Sequence, residues 1–103
     1  MSNEFAKIDT TEFDKAEAML KERGIGYTRE DDIRELPGGF GSYERHQIVL
    51  LDEFGNTIGD FVCSHGTYGA DKGLLEYWGK DHNQDPEGWL TAEEVVEKIE
   101  AGI

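Results

Sequence analysis

The sequence predicts an α+β fold, a small antiparallel sheet of two or three strands packed by an N-terminal and a C-terminal helix. Three observations carry this prediction. Residues 45–65 read as two β-rich segments around a turn, each end of the chain carries an amphipathic pattern with helix-capping signals, and 103 residues are the length of one domain.

The central stretch runs RHQIVLLDEFGNTIGDFVCSH from Arg45 to His65. Asp52, Glu53, Phe54, Gly55 and Asn56 form a turn-like interval between the apolar runs, so a hairpin is the local solution. In the first strand Ile48 and Leu50 point one way and Val49 and Leu51 the other. Apolar residues on both faces place this strand centrally. In the second strand Ile58, Asp60 and Val62 alternate with Gly59, Phe61 and Cys63, and Phe61 with Val49 and Leu51 is expected to mark the better-buried face.

Residues 1–8 are expected to be a short arm. Asp9 reads as an N-cap with Glu12 at N3 completing an acidic capping box, and Ile8 and Phe13 stand at the positions of a hydrophobic staple. Phe13, Ala16 and Leu20 recur at helical spacing, Glu17 and Lys21 form an i,i+4 pair, and Gly24 supplies the stop. Thr28-Arg29-Glu30-Asp31 has the spacing of a second cap, so one or two helical turns carrying Ile33 and Leu36 are expected before Pro37.

Gly66 to Gly73 reads as a polar crossover. Leu74 to Trp78 fits a third strand through its aromatic content, and a short helix accounts for Leu74, Leu75 and Trp78 almost as well. The final helix has the sharpest signal. Thr91 and Glu94 make a capping box, Leu90 and Val95 a staple, Val95, Val96 and Ile99 an apolar edge, and Gly102 a stop.

Asp and Glu number 23 against 10 Lys and Arg, a formal charge of −13. A nucleic-acid binder draws affinity from neutralised phosphates and needs the opposite field, so direct binding to nucleic acid or to an anionic membrane is disfavoured. The charge divides as −4 over residues 1–39, −3 over 40–80 and −6 over 81–103. A partner with a basic surface is therefore expected to meet the C-terminal end. Cys63 is the single cysteine, which excludes an intramolecular disulfide, and no stretch has the apolar length of a membrane span. A cytoplasmic protein is the expectation.

Asp81, Asn83 and Asp85 begin like a calcium loop, but Pro86 stands where the sharp turn needs Gly and Ala92 where a bidentate Glu is required. No metal or other cofactor is expected. Cys63 and His65 share a strand face, with His46 on the facing strand, which makes these three the one candidate reactive cluster. Packing of Cys63 as a small apolar side chain is the simpler role. The glycine-rich stretches at 38–41 and 66–69 lack the lysine and hydroxyl of a phosphate-binding loop.

With no catalytic motif, the chain reads as a non-enzymatic protein-binding or regulatory module. Aromatic anchors Tyr77, Trp78 and Trp89 lie among Asp81, Asp85, Glu87, Glu93 and Glu97, the set expected to attract a basic protein. A second reading is nucleic-acid mimicry in a basic groove. The third is a small enzyme or metal protein built on His46, Cys63 and His65. Oligomeric state does not follow from the sequence.

Overall fold

The computed structural model describes residues 8–35, 37–39, 42–64, 72–79 and 86–101. Helix α1 (Thr11–Glu22) is followed by β1 (Gly26–Glu35), β2 (Ser42–Leu51), β3 (Thr57–Ser64), β4 (Leu75–Trp78), β5 (Glu87–Leu90) and α2 (Ala92–Ala101), with a short 3-10 turn at Pro37–Gly39. The architecture is α+β with an antiparallel sheet packed by the terminal helices. The sheet has five strands in sequential order, a correction to the expected two or three.

The hairpin around Asp52 is the middle of this sheet. Asp52 organises its turn by accepting the N–H groups of Phe54 and Asn56 on Oδ1, at 2.9 and 2.8 Å. The backbone N–H of Gly55 donates to the Asp52 carbonyl at 3.1 Å. Register pairs Ile48 with Phe61, His46 with Cys63 and Leu50 with Gly59. Ile48, Leu50, Phe61 and Cys63 are therefore the helix-facing set, all essentially without solvent exposure. The expected grouping of Phe61 with Val49 and Leu51 is wrong. Val49 faces Asp60 on the opposite side of the sheet, and Val49 and Leu51 are only half-buried. Gly59 permits close approach of β4, since a Cβ there would stand 3.0 Å from the Trp78 carbonyl oxygen.

Leu75 to Trp78 is a strand. The stretch expected as helical turns around Thr28–Ile33 is also a strand, paired with β2 from Gly26↔Leu51 to Glu35↔Ser42. Its alternating Tyr27, Arg29, Asp31 and Ile33 lie on the helix side, while its charges suit an outer strand whose edge is solvated. Toward its far end β1 runs past helical cover, leaving Ile33 69% exposed. Leu36 lies outside the described residues. The fifth strand, Glu87–Leu90, has no counterpart in the sequence-based expectation.

Helix α1 buries Phe13, Ala16 and Leu20, and α2 buries Ala92, Val95, Val96 and Ile99, all in one core with the helix-facing strand residues. Phe13 meets Phe61 edge-on, ring centroids 5.5 Å apart. Ile8, the last residue of the expected short arm and one side of the expected staple, belongs to this core with Phe13. Residues 1–7 and the expected stop at Gly102 lie outside the described residues.

Helix α1 ends as its sequence predicts. With Gly24 at φ 69°, its N–H donates to the Lys21 carbonyl and that of Ile25 to the Leu20 carbonyl, the two bonds of a Schellman motif. The start differs. Asp9 Oδ1 accepts the N–H and hydroxyl of Thr11, but Glu12 does not close the box; its Oε1 accepts the N–H of Ala92 at the head of α2. Glu17 likewise turns from the expected Lys21 pairing to Arg29 and the Tyr27 hydroxyl across the helix–sheet boundary.

Candidate functional site

The C-terminal candidates are organised by the step from β5 into α2. Strand β4 pairs with β5 through Leu75↔Leu90 and Tyr77↔Glu87, so Gly88 and Trp89 together oppose the single residue Glu76. This is the count of a β-bulge. One bulge type gives its left-handed position to Gly, yet here Trp89 takes φ 62°. Among the described residues Trp89 is the sole non-glycine with positive φ. It is also 52% exposed. A bulky side chain in that backbone region costs ~1–3 kcal/mol. The half-burial of a Trp returns a gross amount of the same size, ~3 kcal/mol at ~25 cal/mol per Å². Trp89 thus combines a left-handed backbone with a half-open ring, and the two opposing contributions are of the same order.

Leu90 turns back into the core and Thr91 caps α2. The Glu94 N–H donates to Thr91 Oγ1, and the Thr91 N–H donates to Glu94 Oε1, as the sequence predicts. Lys98 reaches Glu87, tying the strand start to the helix. Glu93 pairs with Lys15 of α1, and this partner holds the Glu93 carboxyl below its usual range and raises the Lys15 ammonium. Glu97 lies on the rim of a shallow depression of about 360 Å³ between the helices, with Met19, Arg23, Val96 and Glu100.

Tyr77 and Trp78 face opposite sides of the sheet. Tyr77 packs against the core, where burial raises its phenol pKa, whereas Trp78 is 37% exposed. Trp78 and Trp89 are therefore the accessible aromatics of the predicted set, and Tyr77 is a packing residue. Asp81 and Asp85, with the whole calcium-like stretch at 81–85, lie outside the described residues.

His46 and Cys63 are cross-strand partners, as the hairpin register predicts. Cys63 is fully buried, its thiol near the Leu74 carbonyl at 3.7 Å, and burial pushes its pKa up to about 11. That environment opposes the thiolate a nucleophile requires. His46 instead addresses carboxylates, with Nδ1 2.7 Å from Asp31 Oδ1 and Nε2 3.5 Å from Glu44 Oε2. His65 lies outside the described residues. Among the described residues no three His, Cys, Asp or Glu side chains are placed to hold a metal ion.

A polar hub missed by the sequence reading centres on Arg29. Its guanidinium binds Asp14, Glu17 and Asp31 at 2.8 to 2.9 Å and stands 4.8 Å over the Phe13 ring. Asp31 is in turn held below its usual carboxylate range, chiefly by Arg29 and further by His46, against the opposing effect of burial. The sequence signal for the hub was the two-residue spacing of Tyr27, Arg29, Asp31 and Ile33, obscured by a cap-like Thr-x-x-Asp.

No family model matches this chain, and neither does any curated protein or solved structure. No helix among the described residues is long and apolar enough to cross a membrane.

Proposed function

We propose that this chain is a non-enzymatic protein-interaction module, anchored by Trp89 and steered to a basic partner by the acidic start of α2. The observation that carries this reading is the combination of exposure and positive φ at Trp89. Strain in a bulky residue that contributes little to the fold is the pattern of a position kept for contact with something else. Tryptophan is enriched among binding hot spots because one side chain buries a large rigid area. Glu93, Glu94 and Glu97 follow within two turns and supply the long-range attraction.

The test is affinity capture with the full chain, its Trp89→Gly variant and its Glu93→Lys/Glu97→Lys variant, at low and moderate salt. A basic protein retained by the wild type, lost with Trp89→Gly and weakened by charge reversal supports the reading. A capture profile indifferent to Trp89 removes it.

Nucleic-acid mimicry is a second reading, favoured by shape and charge together. The molecule extends 46 × 23 × 22 Å. Its net charge of −13 has the sign that a basic nucleic-acid groove attracts. On this reading the captured partner is a nucleic-acid-binding protein, and added duplex DNA displaces the chain from it. Failure of DNA to compete leaves the Trp89-anchored reading alone.

A further inference from the structure

The two helices meet along a ladder of ion pairs in which one rung is incomplete. Lys15 of α1 pairs with Glu93 of α2, and Arg23 pairs with Glu100 at 2.8 Å. Residue numbers rise together across these pairs, so the helices run parallel. Lys15, Met19 and Arg23 form one stripe along α1, and Glu93, Glu97 and Glu100 form the stripe that meets it on α2. Met19 therefore stands where a third cation would continue the series. Among the described residues Glu97 has neither a hydrogen bond nor an ion pair.

This middle rung is the site of the depression of about 360 Å³. Its floor is apolar, with Val96 fully buried and Met19 packed against the core, and its rim is Arg23, Glu93, Glu97 and Glu100. An apolar occupant would cover the Glu97 carboxylate without giving it a partner, which is costly. A divalent cation needs several oxygen ligands at once, whereas Glu93 and Glu100 are already engaged by Lys15 and Arg23. A long cationic side chain satisfies both the floor and the rim, because its alkyl stem lies on apolar surface while its head stays among charges.

We infer that the rung between Met19 and Glu97 is a socket for one lysine or arginine side chain of a basic partner protein, the stem over Met19 and the cation at Glu97. The socket rests on the interaction-module reading and names the groups by which α2 holds a partner that its charge has attracted. Trp89 does not line the depression, so the two contacts are separable.

The test is an NMR titration of the full chain, observing the Met19 and Val96 methyl groups and the Glu97 amide. The probes are acetylated, amidated tripeptides with lysine, arginine or norleucine between two alanines, norleucine keeping the stem without the charge. Saturable shifts at these groups are expected with the lysine or the arginine peptide and not with the norleucine peptide. Glu97→Gln is expected to weaken binding roughly fivefold, the upper range for an exposed ion pair. Met19→Lys, checked for folding by its own spectrum, supplies the missing cation and is expected to abolish binding. Glu35→Gln, at the exposed far end of β1, changes the net charge as much as either variant and is expected to bind as the wild type does. No saturable shift with either cationic peptide, an equal response to norleucine, or equal binding by Glu97→Gln and Glu35→Gln overturns the socket. Capture with Trp89→Gly decides the anchor by itself, since none of these peptides carries a counterpart for it.

Discussion

Glu12 Oε1 accepts the backbone N–H of Ala92 at 2.9 Å, so a side chain in the first turn of α1 caps the first turn of α2, eighty residues away in sequence. The negative charge also lies at the positive end of the second helix dipole. Glu12→Ala is expected to destabilise the protein by ~1 kcal/mol and Glu12→Gln by less, since the amide oxygen still accepts. Urea unfolding of the two variants checks the order.

Acid destabilisation should report the Arg29 hub. The Asp31 carboxyl is held below the usual aspartate range, first by Arg29 and then by His46. A folded-state pKa below the unfolded one contributes stability that is present above the unfolded value and lost as pH falls through the folded one. Stability is therefore expected to fall below about pH 4, and Asp31→Asn to make that fall shallower. Asp9 and Glu93 are depressed too, so some acid slope persists in the variant. Thermal melts from about pH 2.5 to about pH 6 measure the difference.

Cys63 should be inert in the folded protein. With its pKa at about 11, roughly one thiol in a thousand is ionised at pH 8, and the side chain has no solvent-exposed area. Alkylation is expected to be negligible without denaturant and rapid with it. Fast labelling of the native state would restore the reactive-cluster reading of His46 and Cys63.

The outer strand β1 carries Glu30 and Asp32 on the sheet face turned away from the helices, paired with Gln47 and Arg45. Charges along an outer edge discourage pairing with a second chain. Replacing both with Val is expected to raise the apparent mass in concentration-dependent light scattering above that of the wild type measured alongside it.

Much of this was legible because it is local. Thr91 and Glu94 are three residues apart, Gly24 ends α1 within two residues of its last turn, and the Asp52–Asn56 turn carries its own acceptor. The misreadings are nonlocal. Thr28-Arg-Glu-Asp31 satisfies a helix cap on paper, but ten residue pairs with β2 outweigh a propensity worth tenths of a kcal/mol per residue. Glu12 fits an intrahelical box equally well until α2 brings an open N–H beside it. At the candidate site, Trp89 was singled out by residue type alone, whereas its strain arises from a bulge against β4 that no spacing within residues 86–90 encodes.

Core positions provide a scale for judging Trp89. Phe61 is fully buried against Phe13, and Phe61→Ala is expected to cost ~3–5 kcal/mol, a large share of the ~5–15 kcal/mol typical of a domain.

The most direct measurement is the unfolding free energy of Trp89→Gly against wild type in urea. Relief of the left-handed backbone and loss of half-buried ring area oppose one another, so the variant should lie within about 1 kcal/mol of wild type, far from the Phe61→Ala value. A loss of more than about 2 kcal/mol would show Trp89 to be part of the packing, and the tryptophan-anchored account would be contradicted.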